Sequence, residues 1–411
     1  MNTFRRLTLA LIAGILAVCC LAVPAAQATS PSQTLGVYAG GGNVQGANSF
    51  ANWVGHPVGR ALDFVDGSSW SSIESPTWYD DQWGGTGYQM DFSIPMFPDS
   101  GGSLATGASG GYNSHWVKLA QNFVAHNQAT AVIRPGWEFN GSWFSWSAMS
   151  NPGSYAAYFR QIVTSMRSVP GQNFKFEWNP SLGVASGLAP DRAYPGDQYV
   201  DYVGEDIYDQ SWISNYHDPV ARWNDFMNQP YGLKWQRDFA AQHGKAMTFP
   251  EWGLAIRDDG HGGGDNPYFI TQMYSWMQAN NVAGNYYFEF DAPDGQHKLT
   301  NGRFPQAADQ FKQLFGATTD PAPAPDPAPA PAPDPAPAPA PTPTSDPPST
   351  SPTPTPTSCK RGHKRTSCKS TGRKARSAAK KKALRRRKRS LHHRKRSLHH
   401  RKRSLHQRNR S

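Results

Sequence analysis

Residues 131–143 read Ala-Val-Ile-Arg-Pro-Gly-Trp-Glu-Phe-Asn-Gly-Ser-Trp. The first part is a short apolar run of the kind that forms a buried strand, and Gly and Trp follow it directly before Glu138. A second run, residues 246–253, has the same design and ends in Pro-Glu-Trp-Gly around Glu251. Both runs predict a buried strand whose end carries a glutamate beside aromatic residues.

Similar apolar runs alternate with amphipathic stretches along residues 29–316, which is the pattern of repeated βα units. Eight strands in one segment of this length predict an α/β domain that is a closed (β/α)8 TIM barrel. The predicted strands are Leu35–Ala39, Arg60–Val65, Gln89–Met96, Ala131–Glu138, Phe174–Asn179, Tyr202–Ile207, Ala246–Glu251 and Gly284–Glu289. Helices are predicted at Ser114–His126, Ser154–Ser168, Leu233–His243, Pro267–Asn280 and Pro305–Phe315, and the aromatic segments directly after the first, second, fifth and sixth strands are interpreted as substrate-side loops.

Acidic and aromatic side chains cluster at the ends of these strands. In a TIM barrel the carboxyl ends of the strands meet at one face, where the chemistry takes place. Sugar rings present flat apolar faces that stack on aromatic rings, while their hydroxyls bond to carboxylates and amides. Strand ends rich in acids and in Trp or Tyr therefore predict a carbohydrate site.

Glu138 and Glu251 end the fourth and seventh predicted strands, which lie across the barrel from each other. Hydrolysis of a glycosidic bond with retention requires two carboxyl groups about 5–5.5 Å apart, one protonated and one ionised. We predict Glu138 as general acid/base, with its pKa raised by aromatic neighbours that exclude water, and Glu251 as nucleophile, paired with Arg134. The alternative is that each glutamate is an ordinary strand-end residue.

Three separated motifs also resemble glycoside hydrolase family 26, the family of β-mannanases and β-1,3-xylanases. Arg134, residues 137–141, Trp143 and Trp146 resemble its acid/base motif, residues 250–253 its nucleophile segment, and residues 194–208 the entry to its sixth strand. The resemblance spans most of residues 35–315. It implies the same roles for Glu138 and Glu251, a hydrogen bond from Tyr208 to the nucleophile, and Trp143 as a sugar platform. This chain departs from the family at Trp137, where many members have His.

The residues predicted to bind substrate are Arg134, Trp137, Asn140, Trp143, Asn179, Tyr208 and Trp252. For Asn179 and Trp252, as for Glu177 and Trp178, a structural role within the barrel is an equal alternative, and Glu289 is interpreted as structural or as part of an outer subsite. No cofactor and no metal are expected. The glycine-rich residues 258–266 do not match a calcium-loop signature and are interpreted as a rim loop that caps the next helix.

The leading prediction for function is a retaining endo-β-glycanase, with β-mannan favoured and β-1,3-xylan or β-glucan as alternatives within the same family. Two other classes remain open. One is a barrel that binds polysaccharide without hydrolysing it. The other is a protein that acts through its basic tail, with the barrel in a secondary role.

Residues 1–28 predict a secretory signal peptide. Two arginines precede an apolar run over residues 7–23, and Ala-Gln-Ala at residues 26–28 supplies a cleavage site. The mature chain is therefore expected to be secreted, with association with the cell wall as a further expectation and no transmembrane segment. Residues 317–357 are rich in Pro, Ala and Thr and predict an extended linker.

The formal net charge of +11 is unevenly distributed, because residues 358–411 hold 24 Lys and Arg without any Asp or Glu. The barrel segment holds 15 Lys and Arg against 26 Asp and Glu. The tail repeats Arg-Lys-Arg-Ser-Leu-His-His, and one leucine per repeat gives no coiled-coil seam. A polycation binds polyanions without sequence specificity. We expect an anionic cell-wall polymer or membrane surface as its partner, and no specific nucleic acid. A disulfide between Cys359 and Cys368 is an open alternative, and the spacing of these residues disfavours a zinc site with His363.

Overall fold

A computed structural model of the protein describes residues 29–183 and 187–316. The predicted signal peptide, the linker and the basic tail lie outside these residues. No helix in the described ranges combines the length and the hydropathy that a bilayer span requires.

Parallel strands form one closed barrel, which confirms the predicted fold class. The strands follow one another in the order β6-β5-β4-β3-β2-β1-β9-β8, and β6 also pairs with β8, which closes the ring. The short strand β7 continues the line of β6 and pairs with the far end of β8. The strands are β1 Leu35–Tyr38, β2 Arg60–Phe64, β3 Gln89–Ile94, β4 Val132–Pro135, β5 Lys175–Trp178, β6 Tyr202–Gly204, β7 Ile207–Tyr208, β8 Ala246–Gly253 and β9 Val282–Phe288.

The helices surround this barrel, and the five predicted ones are confirmed to within two residues at each end. Helices also form after the first and second strands, so the interpretation of those segments as loops is wrong. Directly after the sixth strand, residues 209–218 form a loop before α7 begins, as predicted. After the fifth strand, short 3-10 turns lie at Pro190–Ala193 and Asp197–Tyr199. The helices are α1 Val44–Val54, α2 Trp70–Glu74, α3 Thr77–Trp83, α4 Leu104–Ala108, α5 Asn113–Ala125, α6 Pro152–Arg167, α7 Pro219–Asn228, α8 Leu233–Gln242, α9 Pro267–Ala279 and α10 Pro305–Phe315.

The sequence of helix α1 does not predict a helix. Its sequence contains Gly and two Asn, which have low intrinsic helix propensity. The helix forms because Ala47, Phe50 and Val54 bury one face against the barrel, and because the side chain of Asn43 caps the first turn by accepting from the Gly46 N–H. Tertiary packing therefore outweighs local propensity here.

Two predicted strands end differently in the structure. Strand β4 ends at Pro135, and Glu138 lies three residues later in a turn, with a left-handed φ of 50°. The predicted sixth strand is interrupted between β6 and β7, where Glu205 and Asp206 leave the regular ladder. Both departures occur at the carboxyl ends of strands, where irregular backbone aims side chains at the face of the barrel.

The interior of the barrel is polar at its carboxyl end, and the apolar core lies between the strands and the helices. Arg134 on β4 reaches across to Asp206 and to Glu251 on β8, and all three side chains are buried. The hydroxyl of Thr248 on β8 donates to Glu177 on β5, again across the barrel. Charged side chains inside this end of the barrel therefore find polar partners on other strands.

Gly36 on β1 gives a test of close packing in the barrel. A Cβ there would lie 2.3 Å from the ring of Tyr286 and 3.0 Å from the Cβ of Arg60. We expect Gly36→Ala to lower the free energy of unfolding by about 1–3 kcal/mol, because overpacking forces neighbouring side chains to shift. Gly59→Ala is the matched control, since a Cβ at Gly59 meets nothing within 4 Å. Urea unfolding followed by tryptophan fluorescence measures both, and equal losses would contradict the prediction.

Candidate active site

A pocket of about 920 Å³ opens at the carboxyl ends of the strands, as predicted for a TIM barrel. Glu138 and Glu251 both line it, together with Asp206 and Tyr208 from the sixth-strand region. The barrel therefore brings the two predicted glutamates into one pocket.

Glu138 is held in its turn by the backbone. Its N–H donates to the carbonyl of Asn179 over 2.9 Å, and its carbonyl accepts from the Gly141 N–H over 3.0 Å. The indole Nε1 of Trp143 donates to its carboxylate over 2.6 Å. Desolvation, followed by the nearby negative charge of Glu251, raises the pKa of Glu138 to about 8. This carboxyl is therefore suited to holding a proton at neutral pH.

Glu251 lies in a different environment, although it faces the same pocket. The guanidinium Nη2 of Arg134 donates to its Oε1 over 2.7 Å, and the hydroxyl of Tyr208 donates to its Oε2 over 2.8 Å. The hydrogen bond between Tyr208 and Glu251 matches the one that the resemblance implies. The two carboxyl groups in this pocket therefore have different surroundings. Glu138 is desolvated and accepts from an indole, whereas Glu251 accepts from a cation.

Arg134 does not line the pocket, so its predicted contact with substrate is corrected. Its guanidinium is fully buried and donates to the amide oxygen of Asn179 over 2.7 Å and to both oxygens of Asp206 over 3.1 Å. Its Nε donates to the hydroxyl of Ser93 over 2.8 Å. Asn179 is buried as well, and its amide bonds only to Arg134 and the Pro180 carbonyl, so the structural alternative holds for it. Arg134 therefore positions the carboxylates of Asp206 and Glu251, and Asn179 helps to hold Arg134.

Asn140 and Trp252 also lie away from the pocket, and their predicted substrate contacts are corrected. The buried amide of Asn140 bonds to the backbone of Ser181 and Gly183, which ties the turn after β4 to the segment after β5. Trp252 points out of the barrel, and its ring centroid lies 5.2 Å from Tyr287 and 5.9 Å from Phe311. Its role is packing between the barrel and α10.

The other residues with open alternatives have structural positions. Trp178 is fully buried among aromatic rings, and Glu177 lies inside the barrel. Glu289 accepts from the backbone N–H groups of Leu299 and Thr300 over 2.8 and 3.1 Å, which fixes the loop after β9. The structural interpretation therefore holds for these three.

Trp137 and Trp143 line the pocket as predicted. Trp137 is buried between Phe64 and Phe144, with ring centroids 5.2 and 5.0 Å away. Trp143 is 48% exposed and lies over Gly141, where a Cβ would come within 2.3 Å of the ring. The pocket wall beside Glu138 is therefore aromatic.

Arg257 and His297 also line the pocket, and sequence reasoning missed both. The guanidinium of Arg257 lies 5.4 Å from the ring centroid of Trp212, and the Nδ1 of His297 donates to the Leu254 carbonyl over 2.7 Å. Arg257 directly precedes the glycine-rich residues 258–266, whose last member caps α9 as predicted. Both residues lie in loops without a motif, so only the three-dimensional path of the chain reveals them. The described residues contain no group of three or more His, Cys, Asp or Glu that could hold a metal ion.

Comparisons with known proteins find a family model and two relatives that match parts of this chain. Residues 110–229 match the family model of glycosyl hydrolase family 26. The chain is 32% identical over 146 residues to a mannan endo-1,4-β-mannosidase of Bifidobacterium adolescentis, which covers 34% of this chain and 14% of that protein. It is 28% identical over 224 residues to endoglucanase H of Acetivibrio thermocellus, which covers 51% of this chain and 22% of that protein. The matched parts are thus less than a quarter of each relative's length.

A solved structure shows the same fold. The endo-β-1,4-mannanase double mutant of Cellulomonas fimi superposes with a TM-score of 0.50 at 19% identity, over 71% of this chain and 75% of that one. At this level of identity the likeness supports the barrel and its strand order.

The surroundings of Glu138 predict that two substitutions shift its pKa in opposite directions. We expect Glu251→Gln to lower the pKa of Glu138 below about 8, because a neighbouring negative charge is removed. We expect Trp143→Phe to raise that pKa, because the donor to the carboxylate is lost. Carboxyl-labelled glutamate followed by ¹³C NMR measures both shifts, with Glu74→Gln on α2 as the control. Shifts in the same direction for the two variants would contradict the geometry.

Proposed function

We propose that the barrel is a retaining endo-β-glycanase of glycoside hydrolase family 26 that hydrolyses a β-linked polysaccharide. The observation that carries the proposal is the pair of pocket carboxyls with opposed environments. Glu138 is desolvated, with its pKa raised to about 8, while Glu251 is paired with Arg134 and Tyr208. Retaining hydrolysis needs this combination of one acid and one anion.

In the proposed reaction, Glu138 gives its proton to the glycosidic oxygen while the Glu251 carboxylate attacks the anomeric carbon. The bond to the leaving sugar breaks and a glycosyl-enzyme ester forms. Glu138, now ionised, takes a proton from water, whose oxygen attacks the same carbon and releases Glu251. The Trp143 indole stabilises the ionised form of Glu138, because the indole N–H donates to the carboxylate.

We propose β-1,4-mannan as the first substrate, in keeping with the family and with the mannan endo-1,4-β-mannosidase relative. A β-glucan is the second candidate for two reasons. The match to endoglucanase H extends over more of this chain, and Trp137 gives the pocket an apolar wall at the position before the acid. β-1,3-Xylan completes the set of polymers to compare.

The enzyme proposal predicts the effect of removing either carboxyl. We expect Glu138→Gln and Glu251→Gln each to lower kcat by at least about a thousandfold on the preferred polymer, because each residue acts in the transition state. The full chain is assayed on β-mannan, β-1,3-xylan and mixed-linkage β-glucan, and the anomer first released is determined by ¹H NMR. Glu74→Gln, a carboxylate that pairs with Lys118 on the outside of the barrel, is the control.

Three results would contradict this proposal in different ways. An inverted product would overturn the retaining mechanism and leave hydrolysis intact. Polysaccharide binding without turnover, unchanged by both glutamine substitutions, would indicate a barrel that binds glycans as a non-catalytic module. Absence of turnover together with salt-sensitive surface binding would place the main function in the basic tail.

We also propose that residues 1–28 direct secretion and that residues 358–411 hold the protein at an anionic cell-wall polymer or membrane surface. The support is the composition of these segments, which lie outside the described residues. A tail with 24 Lys and Arg and no acid binds a polyanion by releasing counterions.

We expect a chain truncated after Thr357 to move from the cell-wall fraction into the medium, because it lacks the polycation. A full-length variant with Gln at every Lys and Arg of residues 358–411 controls for tail length and should behave like the truncation. Added salt should release the unaltered protein from cells. Immunoblots of wall and medium fractions measure this, and an unchanged distribution for the truncated chain would refute the anchoring role.

A further inference from the structure

Three tryptophans among the described residues are largely exposed, and they all lie at the carboxyl end of the barrel. They are Trp78, Trp143 and Trp212, exposed by 56%, 48% and 60%. Trp143 and Trp212 line the pocket, whereas Trp78 lies outside it, near the start of α3 in the segment after β2. Trp78 is therefore an exposed indole at this face that the pocket itself does not use.

The backbone supports Trp78 on one face. A Cβ at Gly42, in the turn after β1, would lie 2.4 and 2.5 Å from two atoms of the Trp78 ring. The ring therefore rests directly on the glycine, and the exposure of more than half of the side chain comes from its other face and its edges. Trp143 rests on Gly141 in the same way, beside the proposed acid. The chain thus builds the same glycine-supported aromatic platform twice.

The turn beneath Trp78 is fixed by a buried carboxylate. Asp63, at the end of β2, accepts from the Gly42 N–H and from the Trp83 indole, each over 2.7 Å. Gly42 itself has a left-handed φ of 61°, which favours glycine. The Trp78 platform is therefore positioned before any ligand arrives, so that little conformational entropy is lost on binding.

A second exposed ring flanks the same turn and connects it to the pocket. Phe290, 40% exposed, packs on Gly40, where a Cβ would lie 3.5 Å from its ring. Its ring centroid lies 5.5 Å from that of Tyr38, which lies 4.9 Å from that of Phe64. Phe64 lines the pocket. Aromatic contacts therefore run without a break from the proposed catalytic pocket to the turn that supports Trp78.

We propose that Trp78 and Phe290 form a further glycan subsite, which binds a pyranose unit of the same polysaccharide chain at a distance from the scissile bond. The apolar C–H face of the sugar stacks on the open face of Trp78, as aromatic rings accept apolar surface. Continuity with the pocket identifies the occupant as the substrate chain itself. This inference rests on the proposed function and adds to it a dependence on the length of the substrate.

The test compares short and long oligosaccharides in the full-length protein. We expect Trp78→Ala to raise KM for a hexasaccharide about tenfold, equivalent to about 1.4 kcal/mol, with kcat nearly unchanged. KM for a trisaccharide should not change, because a trisaccharide held in the pocket does not reach Trp78. The probes are β-1,4-manno- and mixed-linkage β-gluco-oligosaccharides. Trp78→Phe should recover part of the loss, since it retains a flat ring. Val220→Ala, an exposed apolar residue on α7, is the control.

The same pair of oligosaccharides is titrated calorimetrically into the Glu251→Gln protein with and without Trp78→Ala. Weaker hexasaccharide binding caused by Trp78→Ala supports the subsite even if the wild type hydrolyses nothing. A lack of hydrolysis would contradict only the proposed function. Equal effects on both lengths, or none, overturn the subsite. A change in sedimentation without a change in KM overturns it too, in favour of a contact between two copies of the chain. If Trp78→Ala lowers the thermal midpoint, Phe290→Ala replaces it under the same criteria.

Discussion

The guanidinium of Arg134 is the charge on which the site depends. It is completely buried, and a buried cation is tolerable only when its donors are satisfied by anions and hydrogen-bond acceptors. Ser93, Asn179, Asp206 and Glu251 meet this need from four other parts of the barrel wall. The cation therefore fixes where these groups lie, and removing one partner of such a pair typically costs about 3–5 kcal/mol.

This arrangement also explains how two glutamates in one pocket become different. Arg134 directs its donors to Glu251 and Asp206, which leaves Glu138 without a cation at hydrogen-bond distance. Glu138 is then governed by desolvation and by the negative charge of Glu251, both of which raise its pKa. The hydrogen bonds from Trp143 and Ser181 and the charge of Arg134 lower that pKa by less. The difference between the proposed acid and the proposed nucleophile thus arises from the desolvation of one carboxyl and from the direction of one guanidinium.

The sequence predicts the barrel well because each strand is an apolar run, and burial makes such runs visible. It predicts Glu138 and Glu251 because each combines a strand end with Trp and Gly. Trp252 adjoins the Glu251 motif, which suggests a contact with substrate, but the alternation of side chains along a strand favours its structural alternative. Successive side chains point to opposite faces, so if Glu251 faces the pocket, Trp252 faces the helices. Arg257 and His297 could not be found in this way, since their loops have no periodicity.

The proposed reaction and the proposed choice of substrate depend on different parts of the structure. The charges proposed for hydrolysis are held inside the barrel, where Arg134 on β4 pairs with Glu251 on β8 and with Asp206 between β6 and β7. The aromatic platforms Trp78 and Trp143 instead rest on glycines in turns beyond the strand ends. A change at Gly42 would alter how the Trp78 ring lies, whereas the hydrogen-bond partners of Arg134 among the described residues all lie outside that turn. Under the proposed function, the barrel interior therefore supports the chemistry, and the rim sets which glycan chain, and how long a chain, the protein receives.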